Sequence, residues 1–355
     1  MSTTIRLIQI GAGTIVIVFV FFLVRWSIAT GSFNHFAPVS PGACRILARI
    51  AGPEDFEIDP THKVIFVSST DRHAAKPAAG DGIYLLKWDD PKAPPLKLAG
   101  TPADFHPHGI SLYRNGGEEM LFAVNHHASG MQSVDSFIVH FDGDTATLVP
   151  QASITGGLLV SPNDVAAVGP GQFYVTNDHV TKTAIGRFAE DYLIWPHADL
   201  VHFNGAFFRI AIQRIAFPNG VYVTPDGTRL YVTSTNERRV IGFSRSPYTG
   251  ELAEIGSLHI PARLDNISMD PQGELVIAGH PSLSRVHDFQ KDAGKPSPSV
   301  VFKVRLDAAG APQSYQTIYA NDGAEIGASS SAAIQDGRLI IGSVLDNKLL
   351  DCAIK

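Results

Sequence analysis

The sequence predicts an all-β protein, a six-bladed β-propeller preceded by an N-terminal hydrophobic helix. Three observations carry that expectation. The chain opens on an uncharged apolar segment. Its body is rich in turns and poor in helical periodicity. A short polar motif recurs about every 50 residues.

The apolar segment runs from Leu7 to Val24, 18 residues without a charge. As a helix it spans roughly 27 Å, about the thickness of a bilayer core. Arg6 and Arg25 flank it almost symmetrically, so loop charge sets no orientation. The length favours a retained signal anchor over residues 1–30. A cleaved signal peptide ending near Ser27-Ile28-Ala29 is the alternative. Either places residues 31–355 in an oxidising compartment, inside the secretory lumen or outside the cell.

Beyond Gly31 the chain carries short apolar runs such as Lys63–Ser68, Gly82–Leu86, Phe173–Thr176, Arg229–Thr233 and Glu274–Ala278. Turn signals punctuate them: Pro225-Asp226-Gly227, Pro271-Gln272-Gly273 and Asp336-Gly337. With 32 Gly and 23 Pro, many short elements are expected rather than a helical bundle. Only Ala189 to Phe203 reads as a candidate surface helix or long loop.

Glu54-Asp55, His108-Gly109, Asn163-Asp164, Asn219-Gly220 and Asp265-Asn266 recur at spacings of 54, 55, 56 and 46 residues. Residues 44–352 hold six such units. A strand-rich period near 50 is the mark of a propeller. A jelly roll or paired sandwich leaves the spacing unexplained.

Charged residues are only 17 % and the formal net charge is −6, which excludes a disordered chain and a basic nucleic-acid binder. Two cysteines cannot build a thiolate metal cluster. Cys44 and Cys352 lie at opposite ends of the repeat. They are either unrelated thiols or one disulfide, and the apolar leader favours the disulfide. Gly11-Ala12-Gly13 follows no strand and marks no dinucleotide site. No Gly-x-Ser-x-Gly elbow is present.

Residues recurring once per blade converge on a propeller axis. Here they are carboxylates and amides, hard oxygen donors suited to calcium, whereas zinc takes His or Cys. Singly each pair reads as turn chemistry; together, at blade period, they read as a metal site. Asn266-Ile267-Ser268 also matches a glycosylation acceptor, incidental if Asn266 is buried. Among 14 His, His108 lies on the axial register and His126 ends the next apolar run, a pair placed for general-base work. His179 and His280 are secondary candidates.

At this point the chain resembles the serum paraoxonase/arylesterase family. The resemblance rests on Gly52-Pro53-Glu54-Asp55-Phe56, Pro107-His108-Gly109-Ile110, Asn125-His126, Pro162-Asn163-Asp164-Val165, Thr176-Asn177-Asp178-His179, Pro218-Asn219-Gly220-Val221 and Leu264-Asp265-Asn266-Ile267-Ser268. It runs from about Cys44 to Cys352. It implies a calcium-dependent lactonase and arylesterase with two calcium ions. One at the channel mouth would be held by Glu54, Asn163, Asn219, Asp265 and Asn266. A deeper one would be held by Asp55, Asp164 and the main-chain oxygen of Ile110. His108 would be the general base, His126 its partner, and Cys44 would pair with Cys352. Small lactones or esters would be substrates, organophosphate triesters promiscuous ones, and the leader would attach the enzyme to a membrane.

Three stretches depart from the family. Gly279 replaces a frequent cysteine. The rim segment Thr70 to Gly82 is Ala- and Gly-rich and lacks the usual aromatic-lysine pattern. Val180-Thr181-Lys182-Thr183 stands where aromatics are common. A competing reading is a non-catalytic, calcium-stabilised propeller serving as a membrane-tethered binding module. A lyase-type propeller resembling strictosidine synthase would not need the full set of axial acids and amides.

Overall fold

The computed structural model describes residues 3–31, 34–74 and 78–354. Among these, 24 strands form six four-stranded antiparallel sheets. The first strands of the sheets are Pro53–Asp59, Pro107–Asn115, Pro162–Gly169, Pro218–Val223, Arg263–Met269 and Ser329–Gln335. Each touches the first strand of the next blade, so the six close a ring around one axis. The expected six-bladed propeller is the observed fold.

Ring closure uses both ends of the chain. The sixth blade takes Cys44–Ala48 as its outermost strand, paired antiparallel with Leu349–Ala353. Cys44 lies opposite Cys352 in that pairing, and the two form the disulfide. The core is the set of apolar layers between blades. Phe66, Ile83, Leu121 and Phe137 meet between the first two blades, and Tyr231, Leu264, Ile277 and Phe302 between the fourth and fifth. Strand Val64–Ser69 is buried along its whole length because a neighbouring blade covers each face. Each such aromatic or aliphatic side chain contributes roughly 1.5–3 kcal/mol of burial.

The first strand of each blade starts at one end of the axis, and the second strand returns there. The foreseen turns at Pro225-Asp226-Gly227, Pro271-Gln272-Gly273 and Asp336-Gly337 join first to second strands at the opposite end. The segment after each second strand therefore lies on the end that carries the recurring motif.

Three helices accompany the propeller. α1, Thr3–Thr30, contains a span, Gln9–Ser27, long and apolar enough to cross a membrane by length and composition. α2, Ala184–Tyr192, and α3, Leu283–Lys291, come after the second strands of the third and fifth blades. Trp26 stacks on Tyr192 with ring centroids 4.4 Å apart, and Arg25 donates to the Leu193 carbonyl at 3.0 Å. The end of α1 thus rests on the motif-bearing end of the propeller.

The expectation of one surface element over Ala189–Phe203 needs correction. Thr183 caps α2 by accepting from the Gly186 N–H, so the helix starts earlier. It stops at Tyr192, Pro196 blocks its continuation, and Ala198–Phe203 is the third strand of its blade. α3 was not anticipated; Ser282 caps it directly after Pro281. Of the rim segment Thr70 to Gly82, positions 75–77 lie outside the described residues.

Candidate active site and metal centre

The recurring residues occupy the starts of the first strands rather than loops. In every blade the pairing between first and second strand slips at this point. Such irregularities re-aim side chains that strict alternation would send to opposite faces. Consecutive residues such as Glu54 and Asp55 can then both serve the axis. In the second and fourth blades the position after His108 or Asn219 is glycine, and close packing explains it. A Cβ on Gly109 would lie 2.5 Å from Asp164 Cα, and one on Gly220 2.7 Å from Asn266 Cα.

Two levels result. In the deeper one, Asp55 Oδ2 accepts from the Ile110 N–H at 2.8 Å and Asp164 Oδ2 from the Val221 N–H at 2.7 Å. Each carboxylate therefore ties its own blade to the next. An axial cavity of about 400 Å³ continues beneath them, lined by Glu57, Tyr222 and Arg114 among others.

At the mouth, Glu54 Oε1 accepts from Asn266 Nδ2 at 2.9 Å, and Asn163 Nδ2 donates to Asp178 Oδ2 at 3.4 Å. Asn219 hydrogen-bonds to Asp265. Glu54 is only 1 % exposed, and Asn163, Asn219, Asp265 and Asn266 are likewise buried. Yet Glu54 Oε2, Asn163 Oδ1, Asn219 Oδ1 and Asn266 Oδ1 have no hydrogen-bond partner. Four orphaned oxygens from four blades meet where the sequence places a cation. Buried lone pairs left bare cost about 1–3 kcal/mol each, a cost that a bound cation would remove.

The electrostatics agree. Burial raises the Glu54 carboxyl above its ordinary range. Burial, then repulsion from Asp164 and Glu54, raises Asp55 further. Asp164 and Asp265 are likewise raised, first by burial. A divalent ion bound by oxygens removes this conflict by favouring the ionised forms. The donor set therefore fits a hard cation. Burial of Asn266, 3 % exposed, makes its glycosylation sequon unusable in the folded chain.

The histidines meet as expected. His108 Nδ1 lies 2.8 Å from His126 Nε2, and His126 Nδ1 lies 2.5 Å from Gln132 Oε1. Gln132 Nε2 donates to the Gly130 carbonyl, which orients its oxygen toward the imidazole. The network assigns the protons: His126 Nδ1–H donates to Gln132, and His108 Nδ1–H donates to His126. His108 Nε2 is left as an unprotonated acceptor, 3.6 Å from Glu54 Oε1. Burial, then the charge of Arg72, lowers His108 well below its usual value, so the ring is neutral at pH 7.

His179 and His280 flank the site without joining the pair. His179 bridges Asp178 and, on α2, Asp191 at 2.8 and 3.1 Å. His280 Nε2 stands 3.6 Å from Asp265 Oδ2. Sequence reasoning missed three residues. Gln132 sets the tautomer. Arg72, in the rim, acts electrostatically on both histidines. Ser330, in the sixth blade, donates to the Glu54 carbonyl at 2.5 Å. Ser330 carries no carboxylate to advertise its register; Arg72 had a signal, a guanidinium within an Ala- and Gly-rich stretch.

The described residues thus form a six-bladed propeller that gathers buried acids, amides and a histidine pair at one axial end. The Arylesterase family model matches residues 35–354, and the chain belongs to that family. Serum paraoxonase/arylesterase 2 of Canis lupus familiaris is 28% identical over 315 residues, 86% of this chain and 87% of the relative. Serum paraoxonase/arylesterase 1 of Homo sapiens is 29% identical over 328 residues, 89% of this chain and 90% of the relative. Among solved structures, the calcium-binding protein regucalcin of Agrobacterium tumefaciens superposes with TM-score 0.54 at 16% identity, covering 90% of this chain and 96% of that one. The periplasmic gluconolactonase of Pseudomonas aeruginosa gives 0.52 at 12%, covering 85% and 89%. These two likenesses establish the fold alone.

Proposed function

We propose that the protein is a calcium-dependent hydrolase of lactones and aryl esters, with two calcium ions on its axis. The observation that carries this is the convergence of four orphaned buried oxygens beside a neutral imidazole. Glu54, Asn163, Asn219, Asp265 and Asn266 would hold the ion at the mouth. Asp55, Asp164 and the Ile110 carbonyl would hold the deeper one. When bound, the mouth ion supplies Lewis-acid polarisation of the ester carbonyl.

The chain's own residues supply the rest. His108 Nε2 takes a proton from the attacking water. His126 and Gln132 keep His108 in the tautomer that can accept it, and stabilise the imidazolium that results. Phosphotriesters share the need for a polarised oxygen and an activated water, so slow turnover of them belongs to this reading. Residues 1–30 would serve as a signal anchor and 31–355 as the hydrolase domain, lumenal or extracellular. The Cys44–Cys352 disulfide and the docking of Trp26 on α2 support that placement.

The test is hydrolysis of a lactone panel by purified protein with calcium and after chelation. The reading expects turnover that chelation abolishes and calcium restores. Calcium binding with no hydrolysis of any lactone or aryl ester would favour the binding-module reading instead.

A further inference from the structure

We propose that Arg72 recognises an anionic group on the substrate, so that the preferred lactones or esters carry a carboxylate of their own. The inference rests on the hydrolase reading and narrows its substrate class.

Arg72 is held in place from both sides. Thr70 donates through Oγ1 to the Pro107 carbonyl at 2.8 Å, beside His108. The Asp71 N–H donates to Asp81 Oδ1 at 2.9 Å, and the Asp71 carboxylate accepts from the His73 and Ala74 N–H groups at 3.0 and 3.2 Å. His73 then donates from Nε2 to the Leu345 carbonyl at 3.0 Å and meets Phe289 of α3 edge-on. Between these anchors the half-buried Arg72 side chain lies in the segment that Thr70 ties to the strand start carrying His108. Its field reaches Glu54, Asp265, His108 and His126.

Glu54, Asp265 and Asp81 act on Arg72 through space, but none of them bonds to it directly. Among the described residues it forms no ion pair within 4.0 Å, and its one hydrogen bond is a long 3.4 Å contact to the Thr70 carbonyl. Asp81, a nearby carboxylate, is already bonded to His106 at 2.8 Å. The charge count points the same way. Glu54, Asp55, Asp164 and Asp265 carry four negative charges when ionised, which two calcium ions would neutralise. Those four acids would then not need Arg72, which is half-buried and makes only one long hydrogen bond, so donors of its fork remain for a further partner. A guanidinium in that state matches a carboxylate in two parallel hydrogen bonds. A neutral lactone would leave it unpaired.

The experiment compares γ-butyrolactone with the same ring bearing a carboxylate next to the ring oxygen, in wild type, Arg72→Gln and Arg72→Lys. Wild type should prefer the charged ring in kcat/KM, mainly through KM. Arg72→Gln should reduce that preference roughly ten- to hundred-fold, and Arg72→Lys should retain part of it. Melting temperature and calcium content are measured on each variant. Calorimetric titration with the ring-opened hydroxy-dicarboxylate gives a readout independent of turnover, with Arg72→Gln expected to bind at least ten-fold more weakly. Turnover of both rings with a preference unchanged by Arg72→Gln overturns the inference and leaves the hydrolase reading intact. No turnover of either ring, with dicarboxylate binding that Arg72→Gln abolishes, overturns the hydrolase reading and keeps the anion site. Equal dicarboxylate binding by wild type and Arg72→Gln also overturns the inference. If Arg72→Gln does not fold, Arg72→Lys decides: an unchanged preference there, despite the lost fork, counts against it.

Discussion

Strand Pro53–Asp59 carries acids at both ends, and the two ends differ in kind. At the far end Asp59, His62 and Glu119 approach closely enough to share an ion. There the acids already have partners. Asp59 accepts from His62 Nδ1 at 2.7 Å, from the Thr61 N–H at 2.8 Å, and from Arg114 at 3.0 Å. Arg114 also holds Glu119 Oε1 at 3.2 Å. Burial works to raise Asp59, but His62 and Arg114 outweigh it and hold the carboxyl low. Glu119 is raised by burial and keeps Oε2 unpartnered, yet its other oxygen is bound to a cation of the chain. At the motif-bearing end every axial acid is raised, and oxygens from four blades are bare. Proximity of acids alone does not make a metal centre. At the mouth, by contrast, four oxygens stay bare and the one nearby cation, Arg72, acts on Glu54 and Asp265 without a direct bond to either.

The sharpest way to break this contrast is Asp164→Ala. It strands the buried Val221 and Val165 N–H groups, at about 1–3 kcal/mol each, and removes a proposed ligand of the deeper ion. Against a total stability of about 5–15 kcal/mol, little folded protein should be recovered. Asn219→Ala, at the mouth, should fold and lose turnover. Equal unfolding by both would erase the division between levels; soluble yield and thermal denaturation read it out.

His108→Gln ranks next. It removes the basic nitrogen while keeping size and polarity, and should lower kcat/KM for a lactone by roughly 10²–10⁴-fold with calcium content unchanged. Replacing both cysteines by serine should cost about 2–4 kcal/mol, because the bridge constrains nearly the whole unfolded chain, and should lower the urea midpoint.

A pH test probes the ring around the mouth. Burial pulls His179 down, but its bonds to Asp178 and Asp191 outweigh that and raise it to about 10. A folded-state pKa above the unfolded value means stability that is fully present below about pH 6.5. It is lost progressively as pH rises toward 10. His179→Gln should therefore lower the melting temperature clearly at pH 6 and much less at pH 9.5. The smallest effect belongs to the far end: Glu119→Gln keeps an acceptor for Arg114 and removes a charge that burial disfavours, so it should change the melting temperature least and leave turnover untouched.

Much of this was legible in the chain because the blades repeat their chemistry. Five acid, amide or His-Gly pairs marked five first strands. The sixth was silent, since Ser330-Ser331 offers hydroxyls that any loop could carry. Its blade was also hidden because it is shared between Cys44–Ala48 and the last three strands. The histidine pair could be named from register, but its tautomer depends on Gln132, a contact made in space. α2 was misplaced because a nine-residue helix capped by Thr183 and the buried strand Ala198–Phe203 follow one another with only a short connection between them.

The most direct measurement is the number of calcium ions per chain after equilibrium dialysis, for wild type, Asn219→Ala and the double variant Asp59→Asn/Glu119→Gln. The account predicts two ions in wild type, one in Asn219→Ala, and two in the far-end double variant. A count that falls in the far-end variant and stays at the wild-type value in Asn219→Ala would contradict it.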